Sequence, residues 1–216
     1  MSTRLTTRPR PLRRDAQANR ERIVAAARVA FAADGTGVSV EEIARRADVG
    51  MGTLYRHFPA KADLVDAVLE EAFAEFIGAA QDALANEDAW AGFCGFLERV
   101  FTLHRENFGL KDVIASRAHG ERVEAIRARM RPLVRQLIAC AQAQGTLRTD
   151  FTAEDMPLVF WSGGRVIDAT ASVAPDVWRR HLGMLLDGLR AEAATPLPHP
   201  PLTRAQLNRT RERGAK

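Results

Sequence analysis

The sequence predicts an all-α protein: an N-terminal three-helix module containing a helix-turn-helix, then a larger helical domain, about nine helices in all. Three observations carry this. Apolar residues recur at helical spacing along nearly the whole chain, and no series of alternating strands is found. Residues 39–58 read as helix, tight turn, helix. Charge is divided by region: residues 1–62 carry a net +6, residues 63–193 a net −6 and residues 194–216 a net +4. A basic N-terminal portion ahead of an acidic body suggests that one end meets a polyanion.

Residues 1–14 hold Arg4, Arg8, Arg10, Arg13 and Arg14 with Pro9 and Pro11. They are expected to form a basic, irregular arm, either a leader without function or a minor-groove contact. The first helix runs from about Asp15 to Ala33, with Ile23, Ala27, Ala30 and Phe31 on one face, and Gly35 suits a left-handed cap. The second starts at Ser39, where Ser39-x-x-Glu42 forms a capping box, and buries Val40, Ile43, Ala44 and Ala47. Asp48-Val49-Gly50 makes the turn, with Gly50 expected to take the backbone geometry a side chain resists. A third, short helix spans about Gly52–Phe58 and turns Leu54 and Phe58 inward; Pro59 ends it. A fourth spans about 61–84 and links the 15–62 module to a 63–193 domain.

Further helices are expected over Asp88–Glu106, Asp112–His119, Glu121–Gln144 (with a kink at Pro132), Ala153–Ser172 and Pro175–Ala193. Residues 194–216, with Pro196, Pro198, Pro200 and Pro201 and scattered arginines, read as an irregular tail. Cys94 and Cys140 lack metal or CxxC spacing, and are read as small buried hydrophobes or a redox switch. No apolar run reaches the roughly 18 residues needed to span a bilayer, and the N-terminus lacks a signal-peptide core. A cytoplasmic protein is expected, with no membrane partner. Of the 31 Lys+Arg, 28 are Arg, a bias that hints at a GC-rich bacterial source. There is no GxSxG, HExxH, P-loop or GxGxxG, so the reading is not an enzyme, with no catalytic residue, no metal and no cofactor.

A recognition helix shows its N-terminal side chains to base edges and its flanks to phosphates. On that basis Met51, Gly52 and Thr53 are candidates to approach bases, and Tyr55 and His57 to donate to phosphate. Arg45 and Arg56 are candidates for guanine or phosphate, alongside Arg46. Lys61, at a helix start, can hold a phosphate with the free amides there. Ser39 can bond phosphate or simply cap its helix.

The stretch Ser39–Lys61, above all Thr53-Leu54-Tyr55-Arg56-His57-Phe58-Pro59-Ala60-Lys61 followed by Leu64, closely resembles the TetR family of bacterial transcriptional regulators. Gly145–Phe151 and Trp161–Asp168 look similar to the C-terminal domain of an SbtR-like subset. The resemblance implies a homodimeric repressor on a palindromic double-stranded operator, nucleoid-associated when bound, and released by an unidentified small-molecule effector. It favours phosphate contact from Tyr55, His57 and Lys61. The alternative is an effector-independent or architectural DNA-binding protein controlled by a protein partner. For an effector pocket the candidates are Trp90, Phe93, Phe101, His104, His119, Met130, Trp161 and Arg165; plain core packing is the competing reading, and Arg165 has Asp168 or Asp187 as alternative partners. For the dimer interface they are Gly163, Gly164, Trp178, Leu182, Leu185, Leu186 and Leu189, an apolar seam that would otherwise close each monomer's own core.

Overall fold

A computed structural model describes residues 11–106, 120–192 and 194–214, with side chains from 15–106, 124–192 and 194–210. The elements are α1 (Pro11–Asp34), a 3-10 turn (Gly35–Gly37), α2 (Val40–Arg46), α3 (Met51–His57), α4 (Lys61–Leu84), α5 (Ala89–Glu106), α6 (Gly120–Ala143), α7 (Met156–Thr170), α8 (Trp178–Leu189) and α9 (Arg204–Gly214). The chain divides into two compact units, one ending at Leu69 and one beginning at Glu70. Helix α4 contributes residues to both.

In the first unit α1 packs on α2 and α3. Its core is the apolar face of α1 (Ile23, Val24, Ala27, Ala30, Phe31), with Ile43 and Ala44 of α2, Leu54 of α3, Phe58, and Leu64, Val65 and Val68 of α4. Helix α1 begins four residues earlier than Asp15, at Pro11, where a missing N–H costs nothing because the first-turn amides have no intrahelical partner. Positions 13 and 14 therefore lie in helix.

The second unit is built on α5. Its inner face presents Trp90, Phe93, Phe96, Leu97, Val100 and Phe101 to α6, α7 and α8. The aromatics meet at preferred angles: Phe93 on the edge of Phe151, Phe96 on Phe160, and Phe101 on Trp178. Helix α6 runs through Pro132 and ends in a Schellman motif: Gly145, at φ 71°, donates to the carbonyl of Gln142, and Thr146 to that of Ala141. The segment after α6 then pairs with the segment after α8. Arg148 N–H donates to Leu189 (3.0 Å), Ala191 N–H to Thr146 (3.1 Å), and Leu147 bridges Arg190.

Arg148 is 8% exposed and locks this junction. Its guanidinium takes Asp150 at 2.6 and 3.1 Å and donates to the carbonyls of Gly188 (3.0 Å) and Thr195 (2.5 Å). Asp150 in turn accepts from the Leu197 amide (3.2 Å), and the Arg148 fork holds its carboxyl down to about 2.

Three expectations change. The tail contains a helix: Thr203 and Gln206 form a reciprocal capping box that starts α9, and Leu207 is buried against the second unit's surface. Part of the dimer seam belongs to the chain's own core. Trp178 is fully buried, Leu182 is buried and Leu185, Leu186 and Leu189 pack partly buried on the same cluster. Gly163 and Gly164 let α7 close on α5: a Cβ on Gly163 would overlap the Phe101 ring, and one on Gly164 would lie 3.0 Å from His104. Finally, Cys140 is exposed, while Cys94 is half-buried with its thiol pushed up to about 11 by burial.

Candidate nucleic-acid interface and effector cleft

The helix-turn-helix is assembled from local signals. Ser39 Oγ accepts from the Glu42 amide (3.2 Å) and starts α2. The reciprocal arm of the capping box is diverted: the Glu42 carboxylate takes Arg45 (2.7 and 2.8 Å) and Arg46 (2.7 Å). Hydrogen bonds from Arg45 and then Arg46 lower its carboxyl to about 2. Arg46 also reaches Asp34 at 3.4 Å. Arg45 remains well exposed but tethered to Glu42 through Nε and one Nη2 hydrogen, with its other guanidinium hydrogens facing outward.

The turn is a Schellman motif in which Asp48, not Gly50, is left-handed, at φ 52°. Asp48 N–H donates to Arg45 (3.3 Å) and Val49 N–H to Ala44 (3.1 Å). Gly50 is an extended N-cap (φ −71°, ψ 152°) whose carbonyl receives the amides of Thr53 and Leu54. Asp tolerates the left-handed region better than most side chains, which is why a glycine is not needed two residues before Gly50.

Helix α3 is anchored by Leu54, 1% exposed, and Phe58, 3% exposed. Arg20 of α1 lies over the Phe58 ring at 5.4 Å, a cation–π contact that fixes the helix's exit. This anchoring turns the other face outward: Gly52, Tyr55 and Arg56 are exposed, and Met51, Thr53, His57 and Lys61 half-exposed. Tyr55 keeps 46% of its surface open. A Cβ added to Gly52 would meet nothing within 4 Å, so the chain's own packing does not demand glycine there. At the start of α4 the Asp63 carboxylate accepts from the Ala60 amide (2.9 Å), placing Lys61 in the first turn.

The pocket candidates separate. Trp90, Phe93 and Phe101 are core residues rather than cavity lining, with Trp90 stacked on Phe93 and covered by Arg190 at 4.9 Å. His104 points its Nε2 at Asp168 (3.5 Å) beside Gly164. Arg165 is exposed on α7. His119 lies outside the described residues. Met130 and Trp161 do come together, in a cleft of about 320 Å3 between α6, α7 and α9. Phe160 of α7, also an available aromatic, joins them, and the walls not anticipated are Arg127, Arg131 and Arg135 from one face of α6 and Arg204 and Leu207 from α9. The four-residue spacing of the α6 arginines and the Thr203-x-x-Gln206 cap were the signals available for them.

Residues 23–68 match the family model described as bacterial regulatory proteins, tetR family, and residues 88–191 match that of the SbtR-like transcriptional regulator C-terminal domain. A solved TetR transcription regulatory protein from Mycobacterium vanbaalenii is 34% identical over 83% of this chain and 99% of its own, with a TM-score of 0.63. The TetR regulator SCO0520 of Streptomyces coelicolor is 27% identical over 79% of this chain and 98% of its own, TM-score 0.58. HTH-type transcriptional regulators of Staphylococcus aureus strains USA300 and N315 are 42% identical over 67 residues, 31% of this chain and 36% of theirs, so the match spans about a third of those relatives' length. With no helix among the described residues long and apolar enough to cross a membrane, a helix-turn-helix anchored through Leu54 and Phe58 and matched relatives along nearly a whole chain, the protein belongs to the TetR family of bacterial transcriptional regulators.

Proposed function

We propose that the protein is a homodimeric repressor that binds a palindromic operator in the bacterial cytoplasm and leaves it when a small molecule occupies the second unit. One observation carries the DNA reading: α3 is clamped from behind by Leu54 and Phe58 and presents Gly52, Tyr55 and Arg56 to solvent, with Gly52 needed by nothing inside the chain. A missing Cβ is useful there if an external surface closes on the helix. Met51, Gly52 and Thr53 then approach base edges, while Tyr55, His57 and Lys61 bond phosphates. Ser39 is occupied as a cap, and Arg45 offers its remaining guanidinium hydrogens to a phosphate oxygen.

For the dimer, support now comes from apolar side chains left uncovered on α7 and α8: Leu158, Trp161 and, at 59% exposure, Met184. A two-fold axis pairs two copies, and their two α3 helices then have to reach major grooves about 34 Å apart, one turn of B-DNA. Ligand control rests on the α6–α7–α9 cleft. The solid core around Trp90 and Phe93 supports the competing reading, control by a protein partner, as far as that part of the unit is concerned.

The test is selection of bound sequences from a random duplex library with the full chain, followed by Gly52→Ala on the selected site. The open space predicts that Ala raises stability by up to about 1 kcal/mol through helix propensity, while operator affinity falls at least about tenfold. Unchanged affinity in the substituted protein refutes the placement of α3 against bases.

A further inference from the structure

The α6–α7–α9 cleft combines two chemistries that a plain core does not. Its floor is apolar, formed by Met130, Val134 and Phe160, with the Trp161 ring at its edge. Its rim is basic: Arg127, Arg131 and Arg135 stand at successive four-residue steps of α6, and Arg204 opens α9 opposite them. One carboxylate, Glu154, lines the cleft with these guanidiniums. Glu124 takes Arg131 at 2.7 Å and Arg127 at 3.9 Å, and Glu154 takes Arg135 at 3.4 Å. With four arginines in its lining against the one carboxylate of Glu154, the rim keeps a positive excess on a unit whose charges otherwise balance, with 19 basic and 19 acidic residues over 70–216.

One wall of the cleft is movable in principle and held in place by design of the chain. Helix α9 enters through Leu207, which is 6% exposed, and through Arg204. The tail leading to it is tied down upstream by Arg148 on the Thr195 carbonyl and by Asp150 on the Leu197 amide. A ligand whose head bonds Arg131 and Arg204 together would join α6 to α9 while its body covers the apolar floor. Guanidiniums suit this because they bind carboxylates in a two-pronged, charge-assisted geometry. At about 320 Å3 the space sits at the small end of the range for ligand pockets.

We infer that the effector of this protein is a small amphipathic anion, a carboxylate on a medium-length apolar body, taken up between α6 and α9. This deepens the ligand-release reading and rests on it for its regulatory meaning, but the binding itself is tested separately. The probe is sodium decanoate titrated calorimetrically into the full chain, with 1-decanol as the uncharged match and decyltrimethylammonium as the cation. Decanoate is expected to bind at least tenfold more tightly than decanol, and the cation not at all. Arg204→Gln, on an exposed helix position, should weaken decanoate at least fivefold while leaving decanol binding and the melting temperature unchanged; Arg131→Gln should weaken it likewise. Hydrogen exchange of residues 204–210 should slow on adding decanoate. Decanol binding as tightly as decanoate, no binding of decanoate up to 1 mM, or indifference to Arg204→Gln overturns the inference. If decanoate binds as described and the operator complex persists, the ligand-release reading fails and the anion site stands. If instead a neutral or cationic compound occupies the cleft and frees the operator, release stands and the anion assignment fails.

Discussion

Replacing Gly163 by Ala separates the two roles that this glycine can play. In the folded chain a Cβ at this position overlaps the Phe101 ring, far inside any distance that real Cβ contacts show. Phe101 is 1% exposed and already wedged against Trp178, so the ring has no free direction in which to retreat. Overfilling a packed core costs typically about 1–3 kcal/mol, against which Ala in a helix interior returns about 1 kcal/mol. Gly95→Ala isolates that return, because a Cβ on Gly95, midway along α5, meets nothing within 4 Å. The difference between the two variants is therefore expected to be about 1–3 kcal/mol, with Gly95→Ala the more stable. For a unit of this size each kcal/mol moves the melting temperature by roughly 2–4 °C. Urea unfolding should show a lower midpoint for Gly163→Ala at an unchanged slope, and sedimentation should show an unchanged oligomeric mass. Equal stability of the two variants would refute the packing argument, and a loss of dimer without loss of stability would return Gly163 to the interface.

Three further outcomes are expected. Glutamate at Met184, on the uncovered face of α8, should give monomers by light scattering with the fold intact, whereas glutamate at buried Leu182 should unfold the second unit. An aromatic disulfide reagent should titrate one thiol quickly, Cys140, since Cys94 is held protonated up to about 11; two fast thiols in the native protein would contradict this. For Asp150 the folded carboxyl titrates at about 2 against an ordinary 3.8. Its contribution is thus complete above pH 3.8 and is lost as pH falls toward 2. Carboxyl carbon NMR should place its midpoint near the low value, and Arg148→Met should bring it back to the ordinary range; an unmoved midpoint in that variant would exclude Arg148 as the cause.

Much of the first unit was legible because its signals are local. Ser39, the alternation of Ile43, Ala44 and Ala47, and the pair Leu54 and Phe58 each fix a cap or a face within one turn of helix, and the structure has them where their spacing puts them. The turn misled only in its detail: Gly50 drew the expectation, yet the left-handed residue is Asp48, since the position is set by where α2 ends and not by which neighbour is most permissive. In the second unit the same reasoning loses its grip. The Trp178–Leu189 seam has helical periodicity, but periodicity says that a face is covered and not by what; Phe101 of α5 in the same chain packs on Trp178, and Leu182 belongs to the same buried cluster. The cleft was hidden for a related reason. Its walls come from segments about 70 residues apart in sequence, Arg131 and Arg204 among them, and four prolines masked the capping box that makes α9.

The Arg148 junction has a practical corollary. A chain shortened after Ala194 would retain α5, α6, α7 and α8, the aromatic cluster they enclose and the Arg190 and Ala191 contacts with Leu147 and Thr146, but it would lose Thr195, Leu197 and all of α9. Such a protein should fold, dimerise and hold DNA while presenting an open trough where a compartment had been. On the proposed reading, one wall of the receiving cleft lies outside the architectural core and the other walls lie within it. A regulator built this way can be retuned, by selection or in the laboratory, through some twenty carboxy-terminal residues without disturbing the scaffold on which the readout depends.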